Sequence, residues 1–369
     1  MKKISIITIF DVNNFGTYLQ VLALGKTLQS QGFNVEVIKY IRPIHSWKEI
    51  MKRHLSRNIL KVLYKFFFTI PLHFLTRRRH HLFIKKYLSV SRKYSSFEAL
   101  KKNPPMADIY LTGSDQVWNS YYNEGIDRSY YLDFVPAGRN KFAYAASIGM
   151  NDFPENEKKE TRELLSQYKY ISVREQKAKQ ILENLGLRNI QVVLDPTLLL
   201  TKTDWLKLVD ISVFKKKEPY LLIYSVGEKS ENELIKDIVY KIVQNKKMSV
   251  YCVSYGRRLH SMNFGDKKFR YATLPVFLSL FAQADFVVVS SFHGTAFSIN
   301  MNKDFISVTP SKFNSRVDNI LNICELQERK ISDINSFSNK LLDNIDYSKV
   351  NKILADEREK SMNFIKKIM

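Results

Sequence analysis

At 369 residues the chain exceeds the roughly 250–300 residues at which a single core stops growing, and 45% hydrophobic and 25% charged content sets it apart from disordered chains. Its two cysteines, Cys252 and Cys324, exclude a disulfide framework and a four-thiolate metal site and suit a reducing, cytoplasmic setting. The formal charge is +22, and residues 47–93 carry more than half of it, with thirteen Lys and Arg against one acid, Glu49.

The first predicted strand is Ile4–Phe10, a continuous apolar run of the kind buried on both faces of a parallel sheet. Asp11, Asn13 and Asn14 end this run and no small-residue cleavage site follows, so it is expected to be a strand and not a signal peptide. Tyr18, Leu19, Leu22, Leu24 and Leu28 recur at helical spacing, Gly32 stands at the C-cap position, and Phe33–Tyr40 is the next strand. Within the basic segment 47–93, apolar residues such as Ile59, Leu63, Phe66 and Leu72 lie between the charges. The longest uncharged run, Phe66–Thr76, contains Pro71 and falls well short of the ~20 residues of a membrane span. Two readings remain: a basic amphipathic element on an anionic membrane face, or a helical insertion with a solvated basic face. No nucleic-acid recognition motif accompanies the charge, so no nucleic acid partner is expected.

Strands are predicted at Ile109–Thr112, Phe142–Ser147, Tyr170–Val173 and Gln191–Leu194, with helices at about 155–167 and 175–185. After the break Lys215–Pro219 come the strand Tyr220–Val226, a helix at 231–245, and the strand Met248–Ser254. A helix near 275–283, the strand Phe286–Ser290, a helix from about 294 and the strand Phe305–Val308 follow, and a last helix spans Ser348–Met369. This alternation predicts an α/β protein of two Rossmann-like domains facing a cleft, similar to the GT-B glycosyltransferase architecture. The expected domains are 1–210, with the basic helical insertion 47–93, and 211–345; helix 346–369 packs back on the first.

Ligands of open α/β sheets bind beyond the carboxyl ends of the strands, which selects four loops. In Asp11–Gly16, Asn14 either caps a helix or turns its amide to a polar ligand; with no GxGxxG and no P-loop, nicotinamide, flavin and P-loop chemistry lose support. In Thr112–Asn119, Ser114 and Asp115 supply a hydroxyl and a carboxylate at a strand exit. Arg174 ends a third strand, where its guanidinium forks onto a carboxylate or phosphate, or pairs with Glu175. Asp195, before Pro196, is a nearby cap or orienting group. In Ser290–Phe297, His293 and Gly294 sit where a helix start binds anions. His80 and His81 are adjacent and point apart, and no His-x-x-x-His or Cys-x-x-Cys occurs, so no metal site is expected. The absence of G-x-S-x-G leaves a Ser-His-Asp hydrolase unsupported.

Seven collinear motifs then stand together: Asn14–Gln20, Gly113–Asn119, Tyr144–Gly149, Ile171–Glu175, Leu194–Leu199, Ser291–Ala296 and Ser315–Asp318. In them the chain resembles the polysaccharide pyruvyl transferase family. The resemblance implies transfer of pyruvate from phosphoenolpyruvate, as co-substrate and with no other cofactor, to form a cyclic ketal on two sugar hydroxyls. The acceptor would be galactose-type and lipid-linked, the precursor of a capsule or exopolysaccharide. The enzyme would then lie peripherally at the inner face of the cytoplasmic membrane, held by residues 47–93. On that basis the first domain is the acceptor side, with Asn14, Gly16, Ser114 and Asp115 facing the sugar and Asp115 as base. The second is the donor side, with His293 as general acid or phosphate ligand and Ser291, Gly294, Thr295 and Arg316 around the phosphate. Arg174, beside Glu175, would hold the donor carboxylate or phosphate. The rival readings are a nucleotide-sugar glycosyltransferase on the same fold and a non-catalytic, membrane-associated scaffold.

Overall fold

The computed structural model describes residues 1–10, 12–45, 49, 52, 66–67, 70–226, 229–254, 264–309 and 315–368. Asp11 and most of the basic segment between 46 and 69 lie outside the described residues. The chain forms two units, one of Met1–Leu199 with Glu359–Met369 and one of Leu200–Arg358.

The first unit begins with β1 (Lys3–Ile7), α1 (Phe15–Ser30), β2 (Asn34–Tyr40), α2 (Ile70–Lys85), β3 (Ser89–Tyr94) and β4 (Ile109–Thr112). It continues with β5 (Asn140–Ala146), α3 (Glu155–Leu165), β6 (Tyr170–Val173), α4 (Gln176–Asn184) and β7 (Gln191–Val192). The strands make one parallel sheet in the order β3-β2-β1-β4-β5-β6-β7. β1 is buried on both faces from Ile4 to Ile7, and α1 is buried along Phe15–Gly25. Each of its fully buried Leu19, Leu22 and Leu28 side chains contributes about 1.5–3 kcal/mol.

Several boundaries differ from the expected ones, and three of the differences in this unit have local reasons. β1 stops at Ile7, short of Phe10, because β4 turns at Gly113, whose N–H donates to the Ile7 carbonyl; Thr8 then bonds the Ser114 carbonyl through its side chain. β7 ends at Val192 because its partner β6 ends at Val173: Val193 N still donates to Val173 O, and the next donor, Leu194 N, goes to Ser361 Oγ. The basic segment is not helical throughout, since its residues 89–93 open the edge strand β3, whose exposed Arg92 and Lys93 suit an edge.

The second unit contains β8 (Tyr220–Tyr224), α5 (Lys229–Asn245), β9 (Ser249–Val253), β10 (Lys267–Phe269), α6 (Leu274–Gln283), β11 (Phe286–Val289) and α7 (Phe292–Asn300). β12 (Phe305–Val308), α8 (Ser315–Ile323), β13 (Lys330–Ile331) and α9 (Tyr347–Lys366) complete it, with the last turns of α9 belonging to the first unit. Its sheet is again parallel, in the order β10-β9-β8-β11-β12-β13. α7 starts two residues earlier than expected, because Ser291 in extended backbone accepts from Gly294 N and closes the first turn. In each sheet the chain fills one side before crossing to the other, so strand order reverses at β1/β4 and at β8/β11, the places where such sheets bind ligands.

Candidate functional site

At the first reversal the close approach of β1 and β4 favours Gly113, since a Cβ there would lie 3.1 Å from Thr8 Cβ and 3.2 Å from Ile6 Cγ2. Two residues later Asp115 takes a left-handed backbone conformation (φ 76°), uncommon outside glycine. Its carbonyl accepts from Ser147 N at 3.0 Å and Val117 N at 2.8 Å, which supports this geometry. Its carboxylate accepts from Thr17 Oγ1 at 3.0 Å and from Gln116 N at 2.9 Å.

Arg174, at the end of β6, is 2% exposed. Its NH1 donates to Asp195 Oδ2 at 2.8 Å, NH2 lies 3.8 Å from Asp115 Oδ1, and Nε lies 3.9 Å from Glu175 Oε2. Burial pulls its pKa down, but Asp195, Asp115 and Glu175 outweigh that and hold it above its ordinary value. The carboxylate onto which Arg174 forks is thus one of the protein's own. Asp195 is the hub of this network, because its other oxygen accepts from Thr197 N and Oγ1, and Ser114 Oγ donates to Oδ2 at 2.8 Å. Glu175 Oε1 accepts from Ser147 Oγ at 2.8 Å and from Ile148 and Gly149 N, so it fixes the exit of β5.

Three carboxylates therefore surround one guanidinium, and Asp115 is the most accessible of them, with 11% of its side chain exposed against 1% for Glu175 and 0% for Asp195. The first turn of α1 joins the cluster through Thr17. Asn14 caps α1, its Oδ1 accepting from Gly16 N at 2.9 Å and Thr17 N at 3.4 Å. Gln20 donates to Thr8 Oγ1 from a fully buried position.

At the second reversal lies a chain of hydroxyls. Ser290 Oγ donates to Ser225 Oγ at 2.9 Å, Ser225 Oγ to Asn232 Oδ1 at 2.7 Å, and Ser254 Oγ to the Ser225 carbonyl at 2.8 Å. His293 lies in the first turn of α7, 6% exposed, its ring 5.2 Å from that of Phe292. Thr295 Oγ1 meets Ser307 Oγ at 2.9 Å, which ties α7 to β12. Gly294 has a packing reason, since a Cβ would lie 2.8 Å from Val289 Cβ. Arg316 is the second residue of α8.

The structure thus brings Asn14, Gly16, Ser114, Asp115, Arg174 and Glu175 together in the first unit, and Ser291, His293, Gly294 and Thr295 in the second. Asp195 both caps the turn at Thr197 and orients Arg174, as expected, whereas Thr8, Thr17 and Gln20 join the cluster without a sequence expectation for them at the site. The available signal was a polar residue on each buried face of an otherwise apolar strand or helix. Cys252 and Cys324 are buried, and burial pushes both thiols up to about 12, so neither suits a nucleophile. Among the described residues no three His, Cys, Asp or Glu are grouped to hold a metal ion, and no helix is long and apolar enough to cross a membrane.

The fold is similar to that of UDP-GlcNAc 2-epimerase from Methanocaldococcus jannaschii, at a TM-score of 0.50 and 12% identity over 96% of this chain and 92% of that one. It is also similar to MnaA of S. aureus in its UDP co-structure, at 0.53 and 11% identity over 97% and 89%. Such identities speak for the fold alone, which is α/β and GT-B-like with two Rossmann-like units. No curated protein matches the sequence. The family model of polysaccharide pyruvyl transferase matches residues 14–312, which include Asn14, Ser114, Asp115, Arg174, Glu175 and Asp195 of the first cluster and Ser291–Thr295 of the second, while β1, Thr8 and Arg316 lie outside the match. The chain belongs to the polysaccharide pyruvyl transferase family.

Proposed function

We propose that this transferase moves pyruvate from phosphoenolpyruvate onto two hydroxyls of a galactose-type, lipid-linked sugar and leaves it as a cyclic ketal, with no other cofactor. In that reaction C2 of the donor gains two bonds to sugar oxygen and loses its bond to the phosphate oxygen and its π bond to C3. Of the two hydroxyl protons, one is balanced by protonation of C3 and the other leaves with inorganic phosphate. The step needs a base for hydroxyl, an acid for C3 and a seat for phosphate.

The observation that carries this reading is the carboxylate excess around Arg174 in a chain of this family. Carboxylates only accept hydrogen bonds, so this cluster suits a ligand made of hydroxyls and repels an anion. Asp115 is then the base, and Arg174 and Asp195 position it together with Ser114. The donor phosphate falls to the first turn of α7, where His293 holds it or protonates C3 and Arg316 adds a cation. Residues 47–93 hold the enzyme on an anionic bilayer, where lipid-linked acceptors are found.

The test is incubation with phosphoenolpyruvate and a panel of lipid-linked and aryl galactosides, with mass spectrometry for added pyruvate and a phosphate assay. Consumption of a sugar nucleotide with phosphoenolpyruvate untouched identifies a glycosyltransferase instead; no turnover of either identifies a scaffold.

A further inference from the structure

α2 has two unlike faces, and each has its own counterpart. Ile70, His73, Thr76, His80 and Ile84 recur at three- and four-residue spacing and point inward; Ile70, Thr76, His80 and Ile84 are buried. On the opposite side Leu72, Leu75 and Leu82 are 38%, 43% and 55% exposed, with the exposed Arg78, Arg79 and Lys85 interleaved among them. A helix face of exposed leucines and cations, with no acid in its sixteen residues, complements the hydrocarbon edge and negative surface of an anionic bilayer.

The inward face is bound to the segment that enters the carboxylate cluster. His73 Nδ1 lies 2.5 Å from the Asn13 side-chain nitrogen. The His80 ring stands 5.8 Å from Phe15 and 5.1 Å from Tyr18, and the His81 ring 5.5 Å from Phe10. Between these contacts sits Thr17, whose hydroxyl donates to Asp115. One helix therefore joins a membrane-complementary surface to the segment that positions Asp115.

We propose that α2 is an interfacial switch: seating its outer face on an anionic bilayer stabilises, through His73 and His80, the arrangement of Val12–Tyr18 in which Thr17 donates to Asp115. The consequence for turnover, a several-fold rise in transfer to a soluble aryl galactoside when vesicles are added, rests on the pyruvyl-transfer reading; the ordering itself does not.

Hydrogen–deuterium exchange of the full chain tests the ordering without reference to chemistry. Vesicles of phosphatidylcholine with phosphatidylglycerol at low salt should slow exchange at amides 12–18 by roughly threefold or more, and pure phosphatidylcholine should not. A double variant Leu75→Glu, Leu82→Glu, altered only on the exposed face, should lose both flotation with the vesicles and the protection, while keeping its basal transfer rate. His73→Ala, and independently Asn13→Ala, should still float with the vesicles but leave amides 12–18 unprotected. Vesicle binding that leaves these amides unchanged overturns the switch, as does full protection in both uncoupling variants. Failure of the wild-type chain to bind the anionic vesicles at all overturns it as well. An enzyme that transfers no pyruvate yet shows the protection pattern would sink the chemical reading and keep the switch.

Discussion

Asp195 and Arg174 form a fully enclosed ion pair: Oδ2 and NH1 are 2.8 Å apart, and 0% and 1% of the two side chains are exposed. The pair lies where β6 and the segment after β7 emerge from the sheet, and Ser114, from the end of β4, donates to the same carboxylate oxygen. Three strand exits are thereby held by one carboxyl group.

Asp195→Ala removes the 2.8 Å partner of the buried guanidinium, whose contacts to Asp115 and Glu175 are longer, at 3.8 and 3.9 Å. Loss of one partner of such a pair costs about 3–5 kcal/mol. Urea unfolding should show a loss of that size, and a variant as stable as the wild type would mean that the pair does not hold the strand exits.

His293→Ala removes the only imidazole of the α7 turn. The value of kcat/KM for phosphoenolpyruvate is expected to fall by about 10²-fold or more, the scale of a general acid or a charged phosphate contact, with circular dichroism unchanged. A fall in kcat with one limb of the pH profile lost assigns proton transfer, and a rise in KM for the donor assigns phosphate binding. Wild-type rates in the folded variant would remove His293 from the site.

Gly294→Ala tests the packing of α7 on β11. The new methyl would meet Val289 Cβ at 2.8 Å and Cγ1 at 2.9 Å, distances that neither partner can relieve without shifting helix or strand. Overpacking of this kind costs about 1–3 kcal/mol, to be read from thermal melts. A neutral or stabilising result would show room at this contact.

Lys303 supplies a pH signature away from both clusters. Burial first, and then the like charge of Lys202, lower its ammonium to about 8, while its Nζ donates to the Ala284 carbonyl at 2.9 Å. The folded pKa is below the unfolded one, so the unfolded chain binds more protons between pH 8 and the ordinary lysine value. The contribution of Lys303 is therefore fully present above that ordinary value and is lost as pH falls through about 8. Lys303→Met should remove this rise in stability with pH, as measured by urea midpoints at pH 7.5 and pH 10. An unchanged pH slope would show that burial does not depress the group.

Much of the chain was legible because parallel strands covered on both faces need continuous apolar runs. Ile109–Thr112, Tyr170–Val173 and Phe305–Val308 begin and end where the residues predict. Less legible were β3 and β10, which lie at sheet edges and are rich in Lys and Arg, and the two-residue β13; none has an apolar run to reveal it. The boundary at Ile7 was hidden for a different reason, because Thr8–Phe10 are as apolar as a strand but leave the ladder when β4 turns.

Sequence alone determined the alternation of strands and helices, the strand exits at Ser114, Arg174, Asp195 and Ser291, and the family motifs that contain them. These are local properties, set by periodicity, by turn residues and by which side chains a short segment contains. Tertiary structure decided the partners. Asp115, Asp195 and Glu175 all lie around Arg174 because parallel pairing of β4, β5, β6 and β7 brings four strand ends to one edge, and His73, His80 and His81 meet Asn13, Tyr18 and Phe10 because α2 packs there. Hydrogen bonds and ion pairs act over a few ångströms in space, and no rule of sequence spacing encodes a contact between residues 60 or 81 positions apart.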